Sequence, residues 1–312
     1  MENKSLFWTQ IARKAPEILK ELIEKEEIEG IGFEKDDKRF YPEASTAAQI
    51  LGFVGSDQFG QDTGYFGVEG YYDRKLKGKS GRSAKNNDPF GIPILVGQYK
   101  PIDSEKGSSL YLSIDRVIQF IVEDKLKKAV ERYGAKSATV IVADPKTGNI
   151  KAMATLPSYN PALRLEYDEA LYRNPAVADT YEPGSTFKLI TMSAALDLGV
   201  VSPTTKCDLC GGPLKIGGFE ISTWNKKYYP NSTMTEVIQH SDNIGMSFVS
   251  QKLGSDKFYE YILKFGFNRP TGIDLQEESP GFIRPKDEWR EIDLATASFG
   301  QGLAVTPIQM VQ

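Results

Sequence analysis

Two consecutive stretches decide how the chain is interpreted: Tyr181-Glu-Pro-Gly-Ser-Thr-Phe-Lys188 and the apolar run Leu189-Ile-Thr-Met-Ser-Ala-Ala-Leu196. The proline and glycine predict a turn, and the uninterrupted run after them predicts a helix. Ser185 then lies at the helix N-terminus, with Lys188 three residues later on the same face. A serine hydroxyl needs a base to become a nucleophile, and a neutral lysine amine in a desolvating pocket can be that base. The pair alone also fits a serine that caps the helix and a solvated lysine.

The composition restricts the classes of function. A chain of 312 residues suggests about two domains. Its 38 basic and 42 acidic side chains give a net charge of −4, which excludes a chain-wide basic surface for nucleic acid. One histidine, His240, and two cysteines, Cys207 and Cys210, are too few for a zinc site or a two-histidine metalloprotease. A serine nucleophile here therefore takes its base from a lysine or a carboxylate.

The residues before about 107 have no continuous core pattern. The apolar spacing predicts a helix over 16–29, a hairpin from 31–33 and 39–41, and a short helix over 44–51. Recurrent glycines over 52–70 predict loops and close turns rather than regular elements. This region is predicted to be an extended β-rich module.

The patterns from residue 108 onward are those of an α+β domain. A helix is predicted to be capped by Ser113 or Asp115 and to end at Gly134. The other predicted elements are strands over 110–113, 138–143 and 150–154, a helix from 184 to 199, and helices over 234–240, 244–253 and 256–265.

A second motif, His240-Ser-Asp-Asn-Ile-Gly245, interrupts two apolar helices. Ser-x-x-Lys, Ser-Asp-Asn and Lys-Thr-Gly are the three motifs of penicillin-binding proteins and class A β-lactamases, and two of them stand here in order. Ser241 is suited to relay a proton between Lys188 and a leaving amine, and Asn243 offers a donor and an acceptor to a peptide amide. In isolation the Ser-Asp-Asn segment also fits a helix N-cap.

These motifs give the chain its resemblance to the class B penicillin-binding proteins, which are monofunctional peptidoglycan DD-transpeptidases. Similar stretches extend over nearly the whole sequence: Arg39-Phe-Tyr-Pro42, the segment 67–78, Tyr159-Asn-Pro161 and Ala295-Thr-Ala-Ser-Phe-Gly-Gln-Gly302. The resemblance implies a non-catalytic pedestal over 1–107. It also implies a transpeptidase domain over 108–312, with an antiparallel sheet flanked by helices.

The resemblance also implies a reaction and its partners. Ser185 would attack the penultimate D-alanine carbonyl of a stem peptide, and an amine from a second strand would resolve the acyl-enzyme. β-Lactams would acylate the same serine, and no metal or organic cofactor is required. The sequence Tyr181-Glu-Pro-Gly-Ser185 is more similar to the cell-division branch of the family than to its elongation branch. Implied partners are a membrane glycosyltransferase and division-complex proteins, with no nucleic acid.

The chain departs from the family pattern in its third motif. Lys146-Thr-Gly148 precedes the nucleophile and is predicted to form a turn. The catalytic Lys-Thr-Gly strand is expected beyond Gln312, so this chain is expected to lack its C-terminal strands and to be weakly active by itself. No run of about 18 apolar residues is present. The single-pass membrane anchor of an extracytoplasmic enzyme is therefore expected outside this sequence.

Two other functions fit part of the pattern. A β-lactamase or β-lactam sensor shares the first two motifs, and a non-catalytic scaffold of the division machinery would explain the missing third. The Cys207–Cys210 pair is either a disulfide or two thiols. His240 is interpreted as a helix-end residue rather than a base. For the aromatic side chains of Trp224, Tyr228 and Tyr229, packing is favoured over a place in a substrate groove.

Overall fold

The computed structural model describes residues 9–34, 36–79, 81 and 103–312. The chain divides into two compact units, residues 1–43 and 44–312. Among the helices in the described ranges, none combines the length and the apolar character needed to cross a bilayer.

The first unit contains helix α1 (Glu17–Lys25), which is shorter than the predicted 16–29. The helix stops there because Glu27 has a left-handed backbone with φ of 46°. The predicted hairpin over 31–33 and 39–41 is wrong, since the described residues of these runs form no strand. Phe33 and Phe40 are 42% and 78% exposed, so these short runs bury too little apolar surface to hold a strand pair together.

The second unit begins with a region that the sequence analysis assigned to loops. Its elements are α2 (Ala48–Leu51), β1 (Phe53–Ser56), β2 (Asp62–Tyr65), α3 (Gly67–Tyr71) and α4 (Asp73–Leu76). The prediction of loops over 52–70 is therefore wrong. β1 and β2 form an antiparallel hairpin in which Phe53 lies opposite Tyr65. The strands are four residues long and contain Gly55 and Gly64, which weakens the strand signal in the sequence.

A helix and a hairpin follow, close to the predicted positions. They are α5 (Arg116–Tyr133), β3 (Ala138–Ala143) and β4 (Ile150–Leu156), with β3 antiparallel to β4. Asp115 caps α5 by accepting hydrogen bonds from the amides of Val117 and Ile118, and Gly134 ends the helix. The predicted strand over 110–113 is absent from these described residues. Ser113 instead donates a side-chain hydrogen bond to the carbonyl of Ile150.

The remainder of the unit is mostly helical. Its elements are α6 (Pro175–Ala178), α7 (Lys188–Asp197), β5 (Leu214–Ile216), β6 (Phe219–Ile221), α8 (Met234–Gln239), α9 (Asn243–Lys264), β7 (Phe282–Ile283), α10 (Glu291–Ala297), β8 (Leu303–Ala304) and α11 (Pro307–Val311). The two helices predicted over 244–253 and 256–265 are one element, α9, interrupted at Gly254, which has a φ of 73°. The α+β prediction is confirmed.

Two apolar cores hold this unit together. The larger surrounds α7 and α9, with Phe187, Met246 and Phe258 buried at its centre. The smaller joins Ile50 and Val68, from the region before residue 80, to side chains as late in the chain as Ile308. The early hairpin region and the later α+β region therefore share one core.

Candidate active site

Ser185 lies on a short 3-10 turn, Gly184–Phe187, that continues directly into α7. Phe187 points into the larger core and is completely buried, which fixes the turn against the body of the unit. Ser185 is exposed, whereas Lys188, at the first position of α7, is only 3% exposed. The turn thus presents the hydroxyl to solvent and places the amine beneath it.

The loop between α8 and α9 brings the second motif to the same place. Asp242 caps α9 by accepting hydrogen bonds from the amides of Ile244 and Gly245. The two helices approach closely because residue 245 has no side chain: a Cβ atom there would lie 2.5 Å from Val237 Cγ1. Ser241 has a left-handed backbone with φ of 52°, which turns the loop toward α7.

A hydrogen-bonded chain joins the four residues predicted as the site. Lys188 Nζ donates to the Ser241 carbonyl oxygen at 2.6 Å, to Ser241 Oγ at 3.0 Å and to Asn243 Oδ1 at 2.8 Å. Ser241 Oγ in turn donates to Ser185 Oγ at 3.0 Å. The amine therefore connects to the exposed serine through a second hydroxyl, the arrangement that a proton relay requires.

The surroundings of Lys188 favour loss of its proton. Burial lowers the pKa of the Lys188 ammonium from its usual 10.5 to about 8, and the negative charge of Asp242 opposes this shift. Asp242 is itself only 1% exposed, and its Oδ2 atom has no hydrogen-bond partner among the described residues. A buried carboxylate thus lies beside a buried amine whose neutral form is accessible near neutral pH.

A third segment, residues 298–305, packs along the 3-10 turn that carries Ser185. The Gly184 amide donates to the Gly300 carbonyl at 2.9 Å, and the Gly302 amide donates to Glu182 Oε1 at 2.7 Å. Gly300 has a φ of 78°, and a Cβ atom there would lie 2.2 Å from the Gly184 carbonyl oxygen. Only glycine permits this approach, so the segment holds the backbone on which Ser185 sits.

Asn243 has a backbone partner as well as Lys188. Its Nδ2 atom donates to the carbonyl oxygen of Ser222, at the end of β6, at 3.2 Å. The amide side chain is therefore held at both its oxygen and its nitrogen, and one Nδ2 hydrogen is left for a ligand.

Other sequence candidates lie apart from this chain of hydrogen bonds. Lys146 is in the exposed turn between β3 and β4, where its amide donates to Asp144 Oδ1 at 2.9 Å. This confirms the turn predicted for Lys146-Thr-Gly148. His240 ends α8, as predicted, and its ring stacks on Tyr229 at 4.0 Å.

The sequence analysis left open whether the two cysteines form a disulfide, and it favoured packing for the three aromatic side chains. Cys207 and Cys210 form a disulfide within the larger core, which decides between the two alternatives. Tyr228 packs against that core. For Trp224, core or surface packing was favoured over a substrate groove; its side chain is 76% exposed, which excludes the core and leaves packing on the surface as a prediction.

Sequence reasoning missed three contributors to the site. Glu182 was quoted only as part of the Ser185 motif, yet it binds the Gly302 amide. Asp242 was given no role of its own, although a helix N-cap was weighed for the Ser-Asp-Asn segment, and Asp242 is the residue that caps α9. The carbonyl of Ser222 has no signal in the sequence, because every residue carries one.

In the part of the chain that the structure describes, no group of three or more His, Cys, Asp and Glu side chains is arranged to hold a metal ion. The geometry of Ser185, Ser241 and Lys188 is compatible with the predicted attack by a serine whose proton passes to a lysine amine.

Comparison with known proteins places this geometry in a family. The model of the penicillin binding protein transpeptidase domain matches residues 138–312, and that of the penicillin-binding protein dimerisation domain matches residues 4–112. Stage V sporulation protein D of Bacillus subtilis is 35% identical over 288 residues, which are 91% of this chain and 44% of that protein. Peptidoglycan D,D-transpeptidase FtsI of Escherichia coli K12 is 32% identical over 302 residues, 97% of this chain and 50% of FtsI.

A solved structure of a penicillin binding protein has a similar fold. Penicillin binding protein 3 of Mycobacterium tuberculosis, complexed with aztreonam, superposes with a TM-score of 0.73 at 31% identity, covering 88% of this chain and 57% of that one. The chain spans about half the length of the curated relatives it matches. With both domain models matched in order, and with Ser185, Lys188, Ser241 and Asn243 joined in one site, the chain belongs to the class B penicillin-binding proteins.

Proposed function

We propose that this chain carries the nucleophile and the base of a peptidoglycan D,D-transpeptidase. The observation that carries the proposal is the link from Lys188 Nζ through Ser241 Oγ to Ser185 Oγ, with 3.0 Å at each step. Its relatives include the protein named peptidoglycan D,D-transpeptidase FtsI in Escherichia coli. The substrate is a stem peptide that ends in D-Ala-D-Ala, and β-lactams compete for the same serine.

The proposed reaction has two acyl-transfer steps. Neutral Lys188 takes the Ser185 hydroxyl proton through Ser241 as Ser185 Oγ attacks the penultimate D-alanine carbonyl. The peptide bond to the terminal D-alanine breaks, and its nitrogen leaves with a proton returned through Ser241. An amine from a second strand then attacks the Ser185 ester, forms the cross-linking amide and gives its proton to the serine oxygen. Asn243 binds the backbone amide that precedes the reacting carbonyl.

The same proposal includes a place and partners for the protein. Resemblance to FtsI supports a role in cell division alongside a membrane glycosyltransferase and other division proteins. The Cys207–Cys210 disulfide supports a catalytic domain outside the cytoplasm, where such bonds persist, and the protein would be held there by a membrane anchor. We retain residues 1–107 as the pedestal and 108–312 as the transpeptidase domain.

The test is covalent labelling of the full-length protein with a fluorescent penicillin. We expect one adduct per chain, located at Ser185 by peptide mass spectrometry and lost in Ser185→Ala. Ser202→Ala is the matched control, because Ser202 is an exposed serine whose hydrogen bonds among the described residues stay within its own turn.

The lifetime of the adduct separates the alternatives. An adduct that persists for many minutes supports a transpeptidase, whereas rapid release of hydrolysed penicillin would identify a β-lactamase. A folded protein that forms no adduct, or one whose Ser185→Ala variant is still labelled, contradicts the assignment of the nucleophile. The first of these results would favour the scaffold function.

A further inference from the structure

Asp242 lies between the two residues that hold the Lys188 amine. Lys188 Nζ donates to the carbonyl oxygen of Ser241 at 2.6 Å and to Oδ1 of Asn243 at 2.8 Å. The Ser241 carbonyl belongs to the peptide bond that leads into Asp242, so the α-carbon of Asp242 is within about 5.5 Å of Nζ. The proposed reaction gives this residue no step, although its side chain is charged and close to the amine.

The main chain of Asp242 and one of its carboxylate oxygens are fixed. The Asp242 amide donates to the carbonyl of Val237, on α8, at 2.9 Å. Oδ1 accepts hydrogen bonds from the amides of Ile244 and Gly245, at 2.8 and 3.2 Å, and so caps α9. The loop that contacts Lys188 Nζ is therefore tied to both helices through this one residue.

The other carboxylate oxygen of Asp242 is not explained by the cap. Oδ2 is buried without a hydrogen-bond partner among the described residues, and the whole residue is 1% exposed. Burial of an unpaired carboxylate oxygen costs free energy. A helix cap needs one acceptor oxygen, and neutral asparagine or serine caps a helix about as well as aspartate. The cap alone therefore does not account for an acid at this position.

The position of Lys188 gives the charge of Asp242 a use. Nζ contacts Asn243, the first residue of α9, where the helix dipole places partial positive charge. The dipole and burial both disfavour the ammonium that Lys188 becomes when it accepts a proton. A carboxylate at the N-cap opposes both effects, and burial leaves its field little screened by salt and solvent.

Asp242 is the charged group that acts on Lys188 within the described part of the chain. Burial lowers the pKa of Lys188, and the Asp242 carboxylate opposes this. The other charged side chains on the elements around Lys188 are exposed or have other partners: Glu182 (Gly302 amide), Asp197 (Tyr261), Lys215 and Glu220 (opposite each other on β5 and β6), Glu236 (Thr233), His240 (Tyr229), Lys252 (Phe248), Asp256 (Lys286), Glu260 (Lys257 and Lys264), Glu291 (exposed) and Asp293 (Arg284 and Arg290).

We propose that Asp242 is a positioning residue for the acyl transfer: its cap holds the contacts of Lys188 Nζ, and its charge stabilises the ammonium that forms there. The inference rests on the proposed function and adds a residue to it. The Ser185 proton still passes through Ser241 to Lys188 Nζ and returns to the leaving nitrogen, and Asp242 neither gives nor takes a proton. Its charge sets the pH range in which Lys188 alternates between its two forms.

The test separates the charge of Asp242 from its cap. Asp242→Asn and Asp242→Ser both keep a side-chain acceptor for the amides of α9 and remove the charge. The second-order rate constant for penicillin acylation of Ser185 is measured in the full-length protein at pH 6.5 and at pH 9. The ratio of the two constants within one variant is the readout, so a general loss of activity cancels.

With the pKa of Lys188 at about 8, the wild-type ratio should be about 30, because the neutral fraction rises by that factor. Loss of a charge at roughly 7 Å should move the profile to lower pH by about one unit or more, which reduces the ratio to about 4 or less. The rate at pH 9 should fall by about three- to tenfold, because a weaker base accepts the proton.

Asp115→Asn is the matched control. It is the same substitution at the exposed cap of α5, and it should keep the wild-type ratio and rate. Circular dichroism verifies the fold of each variant. Serine is the smaller of the two replacements at position 242, so it tests the charge even if asparagine does not fit.

The results distinguish a failure of this inference from a failure of the proposed function. A wild-type ratio of about 30 that is unchanged in the folded Asp242 variants overturns the role of the charge and leaves the Ser185–Lys188 proposal standing. An equal fall of the ratio in Asp115→Asn also overturns it, because the effect would not belong to Asp242. A wild-type ratio near one, with Ser185 still labelled, removes Lys188 as the base and this inference with it.

Discussion

Lys188 is subject to two opposing electrostatic effects. Burial disfavours its ammonium form, while Asp242 favours it. With the pKa at about 8, about one chain in ten holds a neutral lysine at pH 7, whereas an unperturbed lysine would be neutral in fewer than about one in a thousand. The burial of this side chain therefore makes its neutral amine accessible near neutral pH, and Asp242 limits how far the pKa falls.

The first prediction is the pH dependence of acylation. In the proposed mechanism only the neutral amine of Lys188 accepts the Ser185 proton, so the rate of penicillin acylation should rise with pH, by about tenfold per unit well below the pKa. It should level off above about pH 8, the pKa of Lys188. The measurement is the second-order labelling rate from pH 6 to 9.5, with circular dichroism at each pH to verify the fold.

Lys188→Arg is the control for this assignment. Arginine keeps the positive charge but is not deprotonated in this range. Acylation should therefore fall by about 100-fold or more and lose its rise near pH 8. A variant that retains both the rate and the pH profile of the wild type would show that another group removes the Ser185 proton.

At the scale of elements, the second prediction concerns the contact between the 3-10 turn that carries Ser185 and the segment 298–305. Gly300 and Gly199 both have positive φ, at 78° and 64°. A Cβ atom at position 199 meets nothing within 4 Å, whereas at position 300 it would lie 2.2 Å from the Gly184 carbonyl oxygen. Gly199→Ala should cost about 1–2 kcal/mol of unfolding free energy for its backbone alone.

Gly300→Ala should cost more, by about 1–3 kcal/mol of overpacking. It should also slow penicillin acylation, because relief of the clash moves the backbone that carries Ser185. Thermal unfolding and labelling rates of the two variants provide the comparison. Equal losses of stability with equal labelling rates would show that the segment does not hold the turn that carries Ser185.

The elements that the sequence predicted well are those with many apolar residues at one period. α5, β3, β4 and the turn between the strands lie where periodicity and turn residues placed them. The β1–β2 hairpin was missed because its four-residue strands contain glycines and are held by contacts with later parts of the chain. The strand predicted at 110–113 has no strand partner among the described residues, and a short apolar run cannot reveal that.

For the site, local spacing predicted only part of the geometry. Ser185 and Lys188 are one helical turn apart, so their proximity follows from the helix alone. Ser241 and Asn243 are more than 50 residues further on, and only the family motif connected them to Lys188. The contact of Asn243 with the Ser222 carbonyl depends on the tertiary packing of the β5–β6 hairpin, and no residue type in the sequence indicates it.

At the scale of the molecule, the region before residue 80 is part of the folded unit that contains the site. Phe53, on β1, is 6% exposed, and its ring meets those of Tyr172 and Tyr159 at 4.8 and 6.2 Å. The Phe66 amide also donates to Gln276 Oε1 at 2.8 Å, across 210 residues of sequence. Because these contacts join residues far apart in the sequence, we predict that the hairpin region and the transpeptidase region unfold together.

The third prediction tests this coupling with Phe53→Ala. Removal of a buried phenylalanine should cost about 3–5 kcal/mol of unfolding free energy. If the regions are one cooperative unit, the temperature at which penicillin labelling of Ser185 is lost should fall by as much as the midpoint measured by circular dichroism. Phe59→Ala is the matched control, because Phe59 follows the same strand but is 77% exposed, so both midpoints should stay within a degree or so of wild type. A Phe53→Ala protein that melts early by circular dichroism yet keeps the wild-type labelling midpoint would mean that the site is stabilised independently of the hairpin.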